Sequence, residues 1–186
     1  MDLNIRIAGE AGQGIETTGE ALVRSFAAMG LWVFSTRSYM SRVRGGLNWF
    51  DVRVGDHELC GGREQADLLI ALSERGAREL GERVPHGGLL LADGETEQHN
   101  AVALPFTDPA KEQADSKIMA NVVAAGAAFA VLGYDVEALC DHLKAAFRKK
   151  GEQVVHKNLR CARRGAELAA EGVGSLQAPQ PSGAPP

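Results

Sequence analysis

The sequence predicts an α/β protein: a three-layer α/β/α sandwich on a mixed, mainly parallel, Rossmann-like sheet, with a helical C-terminal third. Three observations lead there. The short apolar run Ile5-Arg6-Ile7-Ala8 breaks into closely spaced glycines at Gly9, Gly12 and Gly14 and re-enters helical periodicity at Ile15, the pattern of a strand, a tight turn and a helix. Continuous apolar runs of strand length follow at 31–35, 67–72 and 89–92, as a sheet covered by helices on both faces requires. Beyond Asp115 the apolar residues recur every three or four positions instead of every two.

Taken in order, residues 3–8 form the first strand, with Ile5 and Ile7 on one face. In the helix that follows, Ile15, Gly19, Leu22, Phe26 and Met29 make the inward stripe, Glu20 and Arg24 stand at pairing distance, and Gly30 provides the stop at C′. The second strand is 31–35. Residues 36–47 carry no sustained apolar stripe. They hold Arg37, Arg42 and Arg44 without an intervening acid and reach the glycine pair Gly45-Gly46. Residues 48–54 alternate, with Phe50, Val52 and Val54 on one face and Asp51 and Arg53 on the other. Gly55-Asp56 is a hairpin signal, so 57–60 should return antiparallel and make the sheet mixed. A buried strand at 67–72, a short helix capped by Ser73 through about residue 83, and strands at 89–92 and 101–105 complete the sheet region.

In the C-terminal third, Asp115 or Ser116 is placed to cap a helix to about residue 132, with Ile118, Val122, Ala125 and Phe129 inward. The small residues 124–128 around Gly126 would let another backbone come close. Asp135 caps a second helix through Phe147, and a third runs over about 152–171. The domain therefore spans residues 1–172. Residues 173–186, rich in Pro, Gly, Ser and Gln, read as a disordered tail or linker.

Composition narrows the function. With 186 residues, 45% apolar and 24% charged, the chain fits one domain with its own core. A net charge of −4 and a pI near 5.7 carry no signature of a nucleic-acid partner, so positive surface is local to the arginines. No apolar run approaches the roughly 18 residues of a membrane span, and the expected location is cytoplasmic. Cys60, Cys140 and Cys161 lie far apart, without CxxC spacing, and read as reduced thiols in or near the core rather than metal ligands. His57, His86, His99, His142 and His156 also lack ligand spacing. No metal site and no catalytic residue of the chain's own is expected, because no Ser-His-Asp, Cys-His or paired-carboxylate arrangement stands out.

The glycine turn reads G-x-x-G-x-G from Gly9 rather than the dinucleotide G-x-G-x-x-G, and no acid ends the second strand to meet a ribose. That argues against NAD, while Arg37, where a 2′-phosphate would be met, leaves NADP less firmly excluded. The Gly-Lys-Ser/Thr of a triphosphate loop is missing, so ATP hydrolysis is not supported. What remains is a turn with free N–H groups at a helix N-terminus and an Arg-Gly-Gly loop at the same end of the sheet, where ligands of open α/β sheets bind. The arginines read equally well as a solvated or helix-capping loop.

A family resemblance covers about residues 3–170. Gly9-Glu10-Ala11-Gly12-Gln13-Gly14-Ile15 with Gly19, Arg44-Gly45-Gly46 with Asn48, and Ala66-Asp67-Leu68-Leu69-Ile70-Ala71-Leu72 resemble the gamma domain of the 2-oxoacid:ferredoxin (acceptor) oxidoreductases. Asn121, Phe147-Arg148-Lys149-Lys150-Gly151 and Lys157-Asn158 are similar to the form fused ahead of the thiamine-pyrimidine-binding domain in 2-oxoglutarate-type alpha subunits. Many members have Gly-Gly-Gln-Gly where this chain has Ala11-Gly12-Gln13-Gly14.

The resemblance implies a share in CoA-dependent oxidative decarboxylation of a 2-oxoacid to acyl-CoA and CO2, with electrons passed to ferredoxin. It places thiamine diphosphate, Mg2+ and [4Fe-4S] clusters on other domains or subunits, and makes the thiamine-binding alpha/beta subunits and a ferredoxin-type subunit the partners. The oxoacid stays open among pyruvate, 2-oxoglutarate, branched-chain and aryl acids. Under it, Gly9, Gly12, Gln13, Gly14, Arg42, Arg44, Gly45, Gly46 and Asn48 are expected to form a rim along the CoA and substrate path. Arg42 and Arg44 would meet phosphate or carboxylate groups, or a partner's acidic side chains, and Gln13 would present its amide. A stand-alone nucleotide- or CoA-binding module and a purely architectural subunit are the other readings.

Overall fold

The computed structural model describes residues 1–39, 46–98 and 101–181. Strand β1 (Asp2–Glu10) runs into helix α1 (Ile15–Ala28), followed by β2 (Trp32–Tyr39), β3 (Leu47–Gly55) and β4 (Leu68–Ala71). Then come α2 (Glu74–Leu80), β5 (Leu89–Ala92), β6 (Ala101–Ala103) and four helices: α3 (Thr107–Ala114), α4 (Ala120–Val131), α5 (Val136–Phe147) and α6 (Glu152–Gly172).

The sheet has the order β2-β3-β1-β4-β5-β6. β1, β4, β5 and β6 are parallel, and β3 lies antiparallel between β1 and β2, so β3 alone of the described strands opposes the rest. The sheet is mixed as expected, for a different reason. Residues 57–60 form no strand, because β3 already has a neighbour on each side and offers no edge to a returning chain. β2 is also longer than expected. Residues 36–39 extend it along the edge, exposed enough that no apolar stripe marks them.

Each helix boundary has a local cause. Gly30, at φ 84°, closes α1 by donating to the Ala27 carbonyl, and Leu31 N–H reaches back to Phe26 O at 3.1 Å, the two bonds of a Schellman stop. Ser73 Oγ accepts from Gly76 N–H, and Asp135 accepts from Glu137 N–H, the capping roles expected of them. Glu20 pairs with Arg37 of β2 rather than with Arg24.

No apolar periodicity in the sequence marks α3. It starts where Asp93, at the end of β5, accepts from Phe106 N–H at 2.8 Å and Thr107 N–H at 3.1 Å. Asp115 ends this helix in a left-handed conformation, φ 54°, instead of capping the next one. α4 begins only at Ala120, after a 3-10 turn over Lys117–Met119, and Ile118 points to solvent.

The main core fills the face covered by α1 and the C-terminal helices, joining Ile5, Ile7, Leu22, Phe50, Val52 and Val123. At its centre the Phe26 and Phe129 rings stack at 5.1 Å. α4 and α6 approach backbone to backbone, because a Cβ on Gly126 would strike the Ala162 carbonyl and one on Gly165 the Val123 carbonyl.

A smaller core lies under α2, around Ala8, Leu69, Leu80 and Leu90. Beside it, on the same face, is a buried polar layer. Arg6 reaches Asp51 through Nε at 2.7 Å and Nη2 at 3.1 Å and also donates to Glu64 O, while Asn4 Nδ2 donates to Gln65 O at 3.0 Å. These bonds hold the irregular segment 56–67 against the sheet. Beyond α6 the chain packs rather than loosening at once: Leu176 N–H donates to Val131 O, Tyr134 Oη donates to Pro179 O at 2.6 Å, and Ala178 is buried. Residues 182–186 of the expected tail lie outside the described residues.

Candidate functional site

At the carboxyl end of β1 the chain must leave the sheet and start α1 within four residues. Gly12 and Gly14 accomplish this with φ 92° and 72°, angles that a Cβ disfavours. Gly14 is the N-cap of α1 and no side chain caps the helix, so its first N–H groups remain available to an acceptor.

Two side chains set the shape of this turn. Gln13 Oε1 accepts from Glu10 N–H at 2.6 Å while its Nε2 donates to Leu72 O at 2.9 Å, at the end of β4. Asn121, buried at the start of α4, donates from Nδ2 to Gly14 O at 3.2 Å. Gln13 therefore does not present its amide at the rim. Both ends of that amide are committed, and Gly9 is needed beneath it because a Cβ there would come within 2.5 Å of Gln13 Oε1.

Strand register brings the other predicted groups alongside. Gly9 of β1 is opposite Asn48 of β3, which is opposite Tyr39 of β2. The glycine turn and Asn48 thus share one rim. Gly46, at φ 71°, leads into β3 at that rim. Arg42, Arg44 and Gly45 lie outside the described residues.

The rim encloses a cleft of about 330 Å³, lined by Gly12, Gly14, Glu16, Arg37, Asn48 and Trp49 among others. Arg37 lies 5.3 Å above the Phe50 ring and donates to Glu20 at 2.6 Å. The Tyr39 hydroxyl donates to Glu16, whose carboxylate raises the phenol's pKa. Trp49 borders the cleft, but its indole lies on the other face of the sheet, against the smaller core and flanked by the guanidinium groups of Arg6 and Arg83 at 5.5 and 6.0 Å. Tyr39, Glu16 and Trp49 carried no sequence signal. Glu16 follows the turn directly in sequence, and Tyr39 joins it only through the pairing of β2, β3 and β1.

This arrangement offers backbone N–H groups, a guanidinium, an amide and the Tyr39 ring, and it suits binding of a phosphorylated or carboxylated group beside an aromatic side chain. Among the described residues no three His, Cys, Asp or Glu side chains gather in a way that could hold a metal, and no helix is long and apolar enough to cross a membrane.

Comparison with known proteins decides the family. The model of the pyruvate ferredoxin/flavodoxin oxidoreductase family matches residues 4–168. The chain belongs to this family. Within it, the chain is 31% identical over 155 residues to the 2-oxoglutarate synthase subunit KorC of Archaeoglobus fulgidus, covering 82% of this chain and 83% of the relative.

Two solved structures from such enzymes are similar. A keto/oxoacid ferredoxin oxidoreductase gamma subunit from Geobacter sulfurreducens superposes with a TM-score of 0.76 at 27% identity, over 91% of this chain and 99% of that one. The 2-oxoglutarate:ferredoxin oxidoreductase of Magnetococcus marinus, with 2-oxoglutarate, coenzyme A and succinyl-CoA bound, gives a TM-score of 0.86 at 27% identity over 98% of this chain. The chain spans about a third, 34%, of the length of that Magnetococcus chain.

Proposed function

We propose that this chain is the gamma component of a 2-oxoacid:ferredoxin oxidoreductase and supports CoA-dependent oxidative decarboxylation of a 2-oxoacid in a cytoplasmic complex. The observation that carries this reading is the near end-to-end likeness to a gamma subunit, 91% of this chain against 99% of that one. The rim of β1, β2 and β3 is then one wall of the path by which CoA reaches the reacting centre. The donors and rings of the cleft fit the phosphates and base of such a co-substrate, and a CoA complex of the Magnetococcus enzyme supports that choice. Thiamine diphosphate, with its Mg2+, supplies the carbanion chemistry and [4Fe-4S] clusters the electron path, both on partner subunits.

This chain's own residues bind and orient. Gly12 and Gly14 let a ligand approach the helix N-terminus, Asn48 offers its amide, and Arg37 offers a cation if it exchanges Glu20 for a phosphate. Arg42 and Arg44 would meet phosphate or carboxylate groups, and Gly9 and Gln13 keep the turn in shape. One observation favours the architectural alternative: Arg37 and Tyr39 are already engaged by carboxylates of α1.

Co-expression with thiamine-binding and ferredoxin-type subunits tests the reading. The expected result is a stable complex whose anaerobic dye reduction requires this chain, a 2-oxoacid and CoA. A complex equally active without the chain overturns it.

A further inference from the structure

Gln13 and Asn121 bind the same turn from opposite sides and from distant parts of the sequence. Gln13 ties it to the end of β4 through Leu72 O, and Asn121 ties it to α4 through Gly14 O. Neither side chain lines the 330 Å³ cleft. Each has a glycine as its seat: a Cβ on Gly9 would meet Gln13 Oε1, and a Cβ on Gly14 would fall on Asn121 Nδ2.

The turn is also a partition. On its far side, between the ends of β1 and β4, is a second crevice of about 170 Å³, lined by Gly12, Gln13, Leu72, Thr107, Lys117 and Ile118. Gly12 lines both spaces. A shift of the turn toward β4 would therefore widen the cleft as it narrows the crevice, and glycine-rich backbone resists such a shift only weakly.

We infer that Gln13 and Asn121 are positioning residues that hold the turn between these two spaces and so fix the width of the cleft. The inference rests on the reading of the cleft as part of the CoA path. Preorganised donors bind without the cost of ordering them in the complex, so loosening the turn should weaken CoA binding and leave the chemistry on the partner subunits alone.

The test uses the assembled enzyme. Gln13→Met removes both bonds at similar volume, Asn121→Ala removes the bond to Gly14, and Gly9→Ala displaces Gln13 while also meeting Ile15, at the cleft edge, at 3.3 Å. Each is expected to raise KM for CoA by about tenfold with kcat within about twofold, the split that marks lost uniform binding. Amide exchange at Glu10, whose N–H Gln13 holds, should quicken in Gln13→Met. Gln13→Glu, which keeps the acceptor for Glu10 N–H but turns a carboxylate oxygen on Leu72 O, should raise KM at least as much as Gln13→Met.

An unchanged KM in the three variants overturns the inference. So does loss of assembly in Gln13→Met and Gln13→Glu alike, since the amide would then serve the fold and not the cleft. Failure of the CoA reading itself is distinguishable, because an aryl-azide analogue of CoA would then leave the cleft peptides of the wild-type complex unlabelled.

Discussion

Arg6 and Asp51 are direct partners in the β1–β3 register, and the guanidinium of one meets both carboxylate oxygens of the other on a face of the sheet closed to solvent. The pair ties the antiparallel strand to the first parallel one, and through Glu64 O it holds the segment that covers them. Removing one partner strands the other charge in a dry layer. Arg6→Met should therefore destabilise the chain by about 3–5 kcal/mol, seen as a lower urea midpoint with little change in slope.

The α4–α6 contact is equally specific. At Gly165 a Cβ would occupy the place of the Val123 carbonyl, and backbone cannot rotate aside as a side chain can. Gly165→Ala should cost about 3 kcal/mol or more. Gly172→Ala, with nothing within 4 Å of the added carbon, should shift stability by less than about 0.5 kcal/mol. Thermal melts of the two variants make the comparison.

Alkaline pH should weaken the main core. Burial pushes Cys140 and Cys161 from 9.0 up to about 11 and Tyr134 from 10.0 up to about 12. All three are neutral when protonated, so their raised values favour the folded state. That contribution is fully present below the unfolded pKa values and disappears as pH rises through the folded ones. Urea midpoints should hold steady up to pH 9, then fall between 9 and 12. In Tyr134→Phe the fall above pH 10 should be shallower.

The thiols should separate by exposure. Cys60 is exposed, and Cys140 and Cys161 are buried with raised pKa values, so at pH 8 a chromogenic disulfide should titrate one thiol quickly. The other two should react only with unfolding. Fast reaction of a second thiol in the native chain would contradict this packing.

Much of the fold was legible because it is written locally. Glycines mark the ends of β1 and α1, apolar runs mark β4 and β5, and Ser73 and Asp135 cap the helices that follow them. Three features were not legible. The edge residues 36–39 of β2 are polar and exposed, so no stripe betrays them. The start of α3 is set by Asp93, 14 positions before Thr107. The position of β3 between β1 and β2 follows from cross-strand partners such as Arg6 and Asp51, which no periodicity reveals.

The site divides in the same way. The glycine turn and Asn48 were legible as residue types. That Gln13 is spent on the turn, and that Asn121 reaches Gly14 across 107 positions, depends on tertiary contacts. The aromatic and charged wall of Arg37 and Tyr39 depends on register.

The most direct measurement of the central claim is photolabelling of the assembled enzyme with an aryl-azide analogue of coenzyme A, followed by peptide mapping. Label is predicted in this chain on peptides holding the turn and the start of α1, residues 10–17, and on those holding Arg37, Tyr39 and Asn48, with protection by excess CoA. Label confined to the partner subunits, with none on these peptides, would contradict the placement of the CoA path along this rim.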